Sequence, residues 1–204
     1  ANPPDVYTQQ QLLDLFQCEH KVIRRFFTNA HIQQRHLVLP EPLPDGTMPD
    51  EDSTALLDKH KRWGRTIGRQ AIERCLEPAG VAPDEIAALV VVTSTGYLCP
   101  GLAAYLVDDL GMKASTHRLD VVGMGCNGGM NGMVAASALA TAMPGRPVLL
   151  VCVEICSAAY VFEEDVRTGV VNSLFGDGAA AVLLRADPAL TVDDGPVLVD
   201  FESH

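Results

Sequence analysis

Short, wholly apolar runs alternate in the later two-thirds of the chain with stretches in which small and apolar residues recur at helical spacing. Ile86–Thr93 predicts a buried strand, Leu119–Val122 a short apolar strand and Val148–Ile155 a fully apolar one, and Gly101–Leu110 and Met133–Met143 predict the helices between them. A glycine turn at Gly176-Asp177-Gly178 feeds another apolar run to Leu184, and Val197–Phe201 begins a further strand. Before them the pattern is helical. Ala1 to Val6 predicts an extended arm, because Pro3-Pro4 excludes helix. Thr8 caps a helix with Leu12, Leu13, Leu15 and Phe16 on its apolar stripe, and His20–Ile32 predicts a second with Ile23, Phe26, Phe27 and Ala30 inward. Residues 40–52 are a proline-rich acidic loop, and Asp58–Leu76 predicts a long basic helix with Ile67, Ala71, Ile72 and Cys75 on its apolar side. Continuous apolar strands separated by helices predict an α/β fold whose mixed central sheet is covered on both faces. The expected organisation is an arm, helices and acidic loop over 1–57, then an α/β half over 58–204.

Composition narrows the function classes. At 204 residues and 48% hydrophobic the chain can bury a substantial core, and its net charge of −11 argues against a nucleic-acid binder. Ten of the fifteen Lys and Arg lie between Lys21 and Arg74, however, so a local basic face suits a small polyanion, with a solvated helix surface as the alternative. The six cysteines have no paired-knuckle spacing, and Cys152 with Cys156 is unlike a zinc site. They read as reduced thiols of a cytoplasmic protein. No charged-then-apolar leader opens the chain and no apolar run approaches the ~20 residues of a membrane span. Glu163, Glu164 and Asp165 read as a solvated turn. Gly176-Asp177-Gly178 lacks the lysine and the spacing of a phosphate loop and reads as a tight turn expected to position Phe175 beside Cys126.

The chemistry centres on Cys126. It sits where the strand Leu119–Val122 ends and a helix begins, in the run Gly123-Met124-Gly125-Cys126-Asn127-Gly128-Gly129. Free N–H groups at a helix N-terminus favour thiolate over thiol, which would raise the population of nucleophile at neutral pH. Gly125, Gly128 and Gly129 would allow the turns and close approaches that a buried substrate arm needs. The alternative is a small buried hydrophobe in a tight turn.

Three separated motifs then resemble the condensing enzymes of the thiolase superfamily, most closely the type III polyketide synthases of the chalcone-synthase-like kind. Thr93-Ser94-Thr95-Gly96-Tyr97-Leu98-Cys99-Pro100-Gly101 is similar to the family's T-[TS]-[ST]-G-x-x-x-P-G loop. Gly125-Cys126 with its following glycines resembles the nucleophile corner, and Phe175-Gly176-Asp177-Gly178-Ala179-Ala180-Ala181 resembles the F-G-D-G-A-A-A segment. Asp58-Lys59-His60-Lys61, the Cys126 corner and Val170–Gly178 look most like the bacterial dihydroxyphenylacetyl-CoA synthase branch.

The resemblance implies the amino-terminal half of a thiolase-like fold. It implies that Cys126 carries the acyl group and the growing polyketide as a thioester, that Phe175 is a gatekeeper at the mouth of the reaction cavity, and that Ser94 and Thr95 line it. Cys99 stands where chalcone synthases usually have a methionine reaching across a dimer interface. Arg25 matches an arginine of the CoA phosphate clamp, whose flanking lysines are replaced here by Val22 and Asn29, so that Lys21 or Arg24 would share the phosphates. The implied substrates are malonyl-CoA and an acyl-CoA, with no metal and no bound organic cofactor. The implied partner is a second copy or a chain supplying the carboxyl-terminal half.

The family's catalytic histidine and asparagine, which steady enolate or oxyanion charge, belong to that second half. None of His20, His31, His36, His60, His117 and His204 matches the histidine, and each reads as a surface or packing residue. A truncated chain, a natural half-protein and a degenerate remnant all fit. Two other readings stay open: a ketoacyl-acyl-carrier-protein synthase III-like or hydroxymethylglutaryl-CoA synthase-like enzyme, and a non-catalytic subunit that shapes an active companion.

Overall fold

The computed structural model describes residues 1–160, 165–189, 191 and 195–202. It divides into two compact units whose segments interleave along the chain. The first comprises Ala1–Ile67, Thr95–Leu98 and Val153–Ala179, and the second Gly68–Ser94, Cys99–Cys152 and Ala180–His204.

The first unit opens with β1 (Val6–Thr8), which pairs antiparallel with β2 (Gln34–His36). The arm read from Pro3-Pro4 therefore ends in a strand. α1 (Gln9–Leu15) starts from a reciprocal cap: Gln11 N–H donates to Thr8 Oγ1 at 3.2 Å and Thr8 N–H to Gln11 Oε1 at 2.8 Å. α2 (Lys21–Asn29) is capped by His20, whose Nδ1 accepts from Ile23 N–H at 3.4 Å, and it stops before the expected Ile32. α6 (Val166–Leu174) begins at Asp165, whose Oδ1 accepts from Arg167 N–H, and packs against α2. Sequence periodicity did not indicate this helix. Glu163 and Glu164 lie outside the described residues, as does His204. The unit's core gathers Leu12, Leu13, Cys18, Ile23, Phe27 and Leu37.

The second unit is built on a sheet. β3 (Ala88–Thr93), β4 (His117–Val122), β5 (Val148–Glu154) and β6 (Gly178–Leu184) lie in the order β4-β3-β5-β6. β3 is parallel to both neighbours, with Val90 opposite Leu119 on one side and Leu150 on the other. Every residue of β3 is buried, as expected of a central parallel strand. α4 (Leu102–Asp109) contacts β3 and β4, and α5 (Gly128–Ala142) packs Ala136 and Ala140 on Ala88, Val90, Val92, Val148 and Leu150.

α3 (Ser53–Ala79) runs from one unit into the other and is longer at both ends than its apolar pattern predicts. Asp52 Oδ1 accepts from Ala55 N–H at 2.8 Å at its start. Gly80, at φ +60°, lets Val81 N–H return to Leu76 O and close the last turn. The strand expected over Val197–Phe201 is absent: these residues take no regular structure, and Val199 is 91% exposed. β propensity alone does not make a strand where no partner edge supplies hydrogen bonds. Among the described residues no helix is long and apolar enough to cross a membrane.

Candidate active site

In the second unit the candidate nucleophile stands between β4 and α5. β4 ends at Val122, Gly123 and Gly125 take φ values of +71° and +62°, and one short turn, Gly125–Asn127, leads directly into α5. Both glycines are in the left-handed region that other residues enter only at a cost. Cys126 is exposed, which distinguishes it from the buried Cys18 and argues against a mere core filler. Asn127 holds the N-cap position of α5 without a side-chain hydrogen bond, so the first N–H groups of the helix have no side-chain cap there. Gly125 N–H donates to Ser94 Oγ at 2.9 Å, tying the Cys126 corner to the residue after β3.

Gly128 and Gly129 do not turn the chain as the sequence reading expected. Both are helical, and α5 begins five residues earlier than its side-chain pattern predicts. A Cβ on Gly128 would lie 2.8 Å from Val92 Cγ1, and one on Gly132 would lie 2.5 Å from Val92 Cγ2 and 2.9 Å from Leu150 Cδ1. These glycines bring the head of α5 down onto β3 and β5.

Cys99 is exposed and precedes the cis Cys99–Pro100 bond at the entrance to α4. That entrance is held by Asp120 of β4, whose Oδ1 accepts from Ala103 N–H at 2.9 Å, and a Cβ on Gly101 would run into the same carboxylate. Partial burial pushes the Asp120 carboxyl above its ordinary pKa, against the pull of those N–H groups. Thus the structure connects Ser94 to the Cys126 corner and fixes the loop bearing Cys99 to the strand that precedes it.

Thr95, Phe175 and Arg25 belong to the first unit. Thr95 Oγ1 accepts from Ile155 N–H at 2.8 Å and lies 3.5 Å from His60 Nδ1. His60 is fully buried, its Nε2 has no hydrogen-bond partner, and a Cβ on Gly96 would collide with its ring. Desolvation holds its pKa below the ordinary 6.5. His60 is thus a packing histidine beside Thr95.

Phe175 follows α6, is 40% exposed, and donates its N–H to Val171 O. Its carbonyl accepts from Arg35 at 2.9 Å. Two residues on, Asp177 is buried and accepts three hydrogen bonds, from Val38 N–H, Ser157 N–H and Ser157 Oγ at 2.9, 2.8 and 2.6 Å. Burial nonetheless raises its pKa. Cys156 nearby is pushed up to about 12 by burial and by Asp177, so it stays a thiol at neutral pH.

Arg25 is exposed at an open apolar trough of about 460 Å³ between α2 and α6, lined by Val22, Phe26, Asn29, Val170 and Leu174. Much of the basic cluster is committed elsewhere. Lys59 is half-buried and paired with Glu51, Arg35 is buried, Arg24 donates to Cys18 O, and Arg69 faces Glu73. Among the described residues no cluster of His, Cys, Asp and Glu could hold a metal ion. Sequence reasoning missed Arg35 and Asp177 as organisers. Only Asp177 carried a signal, its place between two glycines after Phe175.

The family model for the amino-terminal domain of chalcone and stilbene synthases matches residues 1–188. A 3,5-dihydroxyphenylacetyl-CoA synthase of Streptomyces toyocaensis is 42% identical over 200 residues, covering 97% of this chain and 51% of the relative. A polyketide synthase from the brown alga Ectocarpus siliculosus superposes with a TM-score of 0.82 at 30% identity, over 90% of this chain and 53% of that one. The type III polyketide synthase of Streptomyces coelicolor A3(2) that is a 1,3,6,8-tetrahydroxynaphthalene synthase gives 0.80 at 26% identity, over 91% and 54%. The chain spans about half the length of the curated relatives it matches.

Proposed function

The chain belongs to the chalcone and stilbene synthase family, with a thiolase-like α/β fold, and on that premise we propose that it is the nucleophile-bearing half of a type III polyketide synthase acting on malonyl-CoA. The observation that carries this reading is the exposed Cys126 at the head of α5, in a corner tied to Ser94.

In the proposed reaction the Cys126 sulfur attacks the carbonyl of an acyl-CoA, the tetrahedral intermediate expels the CoA thiolate, and an acyl thioester remains on the enzyme. Malonyl-CoA then loses carbon dioxide, and its enolate attacks that thioester, forming a carbon–carbon bond and returning the Cys126 sulfur for reloading. The dipole of α5, whose start has no side-chain cap, favours negative charge there, where the thioester oxygen would develop it. Arg25 supplies a cation for CoA phosphates beside an apolar trough. By family resemblance Ser94, Thr95 and Cys99 are assigned contact with the acyl chain, and Phe175 the role of an aromatic face that guides the acyl arm and limits access of water. The enolate-steadying histidine and asparagine of the family have no match among His20, His31, His36, His60 and His117 or elsewhere in the matched motifs. In this reading the working site is completed by the family's second half, which carries that histidine and asparagine.

The similarity to 3,5-dihydroxyphenylacetyl-CoA synthases favours an aromatic product of that kind. Incubation of the assembled protein with malonyl-CoA alone should yield a multi-unit aromatic polyketide. A strict requirement for acyl-carrier protein with a single condensation would refute the proposal.

A further inference from the structure

We propose that Arg35 is the positioning residue that aims Phe175, by gripping the carbonyls at the end of α6 and so fixing the backbone from which that ring projects. Its functional consequence rests on the reading of Phe175 as an aromatic wall of the acyl cavity.

An α-helix ends with carbonyls that lack intrahelical partners. At the end of α6, Arg35 Nη1 donates to Asn172 O at 2.6 Å and to Phe175 O at 2.9 Å, and Nη2 donates to Ser173 O at 2.7 Å. Nη2 also donates to Gln9 Oε1, and Gln9 in turn donates Nε2 to Ser173 O at 3.1 Å. Tyr160 adds its hydroxyl to Asn172 O at 2.8 Å. Arg35 is 6% exposed, lies over the Phe27 ring at 5.5 Å, and among the described residues pairs with no carboxylate. A buried cation without a counter-ion is costly to keep. Here its compensation is a set of carbonyl dipoles at one helix C-terminus, where a cation is favoured.

The grip continues past the aromatic residue. A Cβ on Gly176 would stand 3.1 Å from Arg35 Cβ and 3.3 Å from His36 O, and Asp177 N–H donates to His36 O at 2.8 Å. The backbone on both sides of Phe175 is therefore fastened to β2. A planar guanidinium can reach three carbonyls from two nitrogens, whereas a lysine ammonium is a point charge on a flexible stem. Arg35→Lys should keep the charge and lose the aim.

The test places para-fluorophenylalanine at position 175 of the assembled protein and compares the fluorine resonance of the parent with Arg35→Lys, Arg35→Met and Gln9→Ala. Gln9→Ala removes a neutral side chain, the acceptor for Arg35 Nη2 and a donor to Ser173 O, and leaves the guanidinium in place, so it reports on the grip even if the Arg35 variants fail to fold. The resonance should shift or broaden in each folded variant, least for Gln9→Ala. Prematurely released short products should rise about tenfold in Arg35→Lys while acylation of Cys126 stays within about twofold, as expected when one charge-assisted contact is lost at a positioning site. An unchanged resonance in the folded variants would overturn the proposal, as would altered products with an unchanged resonance. If the parent makes no polyketide while the resonance still moves, the functional reading of Phe175 fails and the positioning role stands.

Discussion

Gly132→Ala puts the packing of α5 to a direct test. In an ordinary exposed helix this change stabilises by about 1 kcal/mol, because alanine loses less backbone entropy. Here the added methyl would sit 2.5 Å from Val92 Cγ2 and 2.9 Å from Leu150 Cδ1. Carbon atoms pack best at about 3.5–4.0 Å, so the methyl is about 1 Å too close to one neighbour and roughly 0.6 Å too close to the other. Neither neighbour can retreat easily. Both are 2% exposed, and β3 and β5 are paired in register through Val90–Leu150 and Val92–Cys152. Overpacking of this kind costs about 1–3 kcal/mol, which offsets the propensity gain and leaves a net loss of up to about 2 kcal/mol. For a chain of this size that is a fall in Tm of up to about 8 °C. Gly129→Ala is the internal control: its methyl would meet only Cys152 Sγ, at an ordinary 3.7 Å, so Tm should hold or rise. Thermal melts of both variants decide the matter. If Gly132→Ala proves as stable as Gly129→Ala, the close approach of α5 to the sheet, and with it the placement of the Cys126 corner, has been misread.

Other outcomes follow from the same structure. Arg25→Ala should raise KM for a CoA thioester about five- to tenfold with kcat retained, and most of that difference should vanish with a dephospho-CoA thioester, since the lost interaction is a charge-assisted phosphate contact. His60 has a folded pKa below its ordinary 6.5, so the unfolded chain binds the proton first: its contribution to stability is complete above pH 6.5 and declines as pH falls below it. His60→Phe should flatten urea-measured stability on that acid limb. Cys156 has the opposite displacement, to about 12 from 9.0, so stability should fall as pH rises above 9, and Cys156→Ala should remove that part of the alkaline slope. Asp177→Asn should cost about 1–3 kcal/mol in a denaturant titration, because an amide nitrogen would face donors now satisfied by carboxylate oxygens.

The sheet was legible in the chain because β3 and β5 are continuous apolar runs, and α1 because Thr8 announces its cap. The start of α5 was hidden. Gly128, Gly129 and Gly132 contribute no side chains to a hydrophobic period, and their role is visible only as the space that Val92 and Leu150 occupy. α6 was hidden for a related reason: it is short, it contains β-branched Val166, Thr168, Val170 and Val171, and it is secured by Gly169 closing on Ile23, where a Cβ would meet Cγ1 at 2.9 Å. At the candidate site the motifs exposed Cys126, Ser94 and Phe175, all of which touch or follow a glycine corner. Arg35 was invisible, since it lies in a three-residue strand without periodicity and its partners are backbone carbonyls 137 to 140 positions away. Val197–Phe201 had the composition of a strand, yet it joins neither edge strand of the sheet and takes no regular structure.

Acyl transfer to the Cys126 sulfur is the central event of the proposed reaction, and intact-mass analysis with peptide mapping after brief exposure of the assembled protein to an acyl-CoA measures it directly. One acyl increment, released by hydroxylamine, should map to the peptide containing Cys126 and be lost in Cys126→Ala. Acylation of another cysteine, or an increment undiminished by Cys126→Ala, would contradict the assignment.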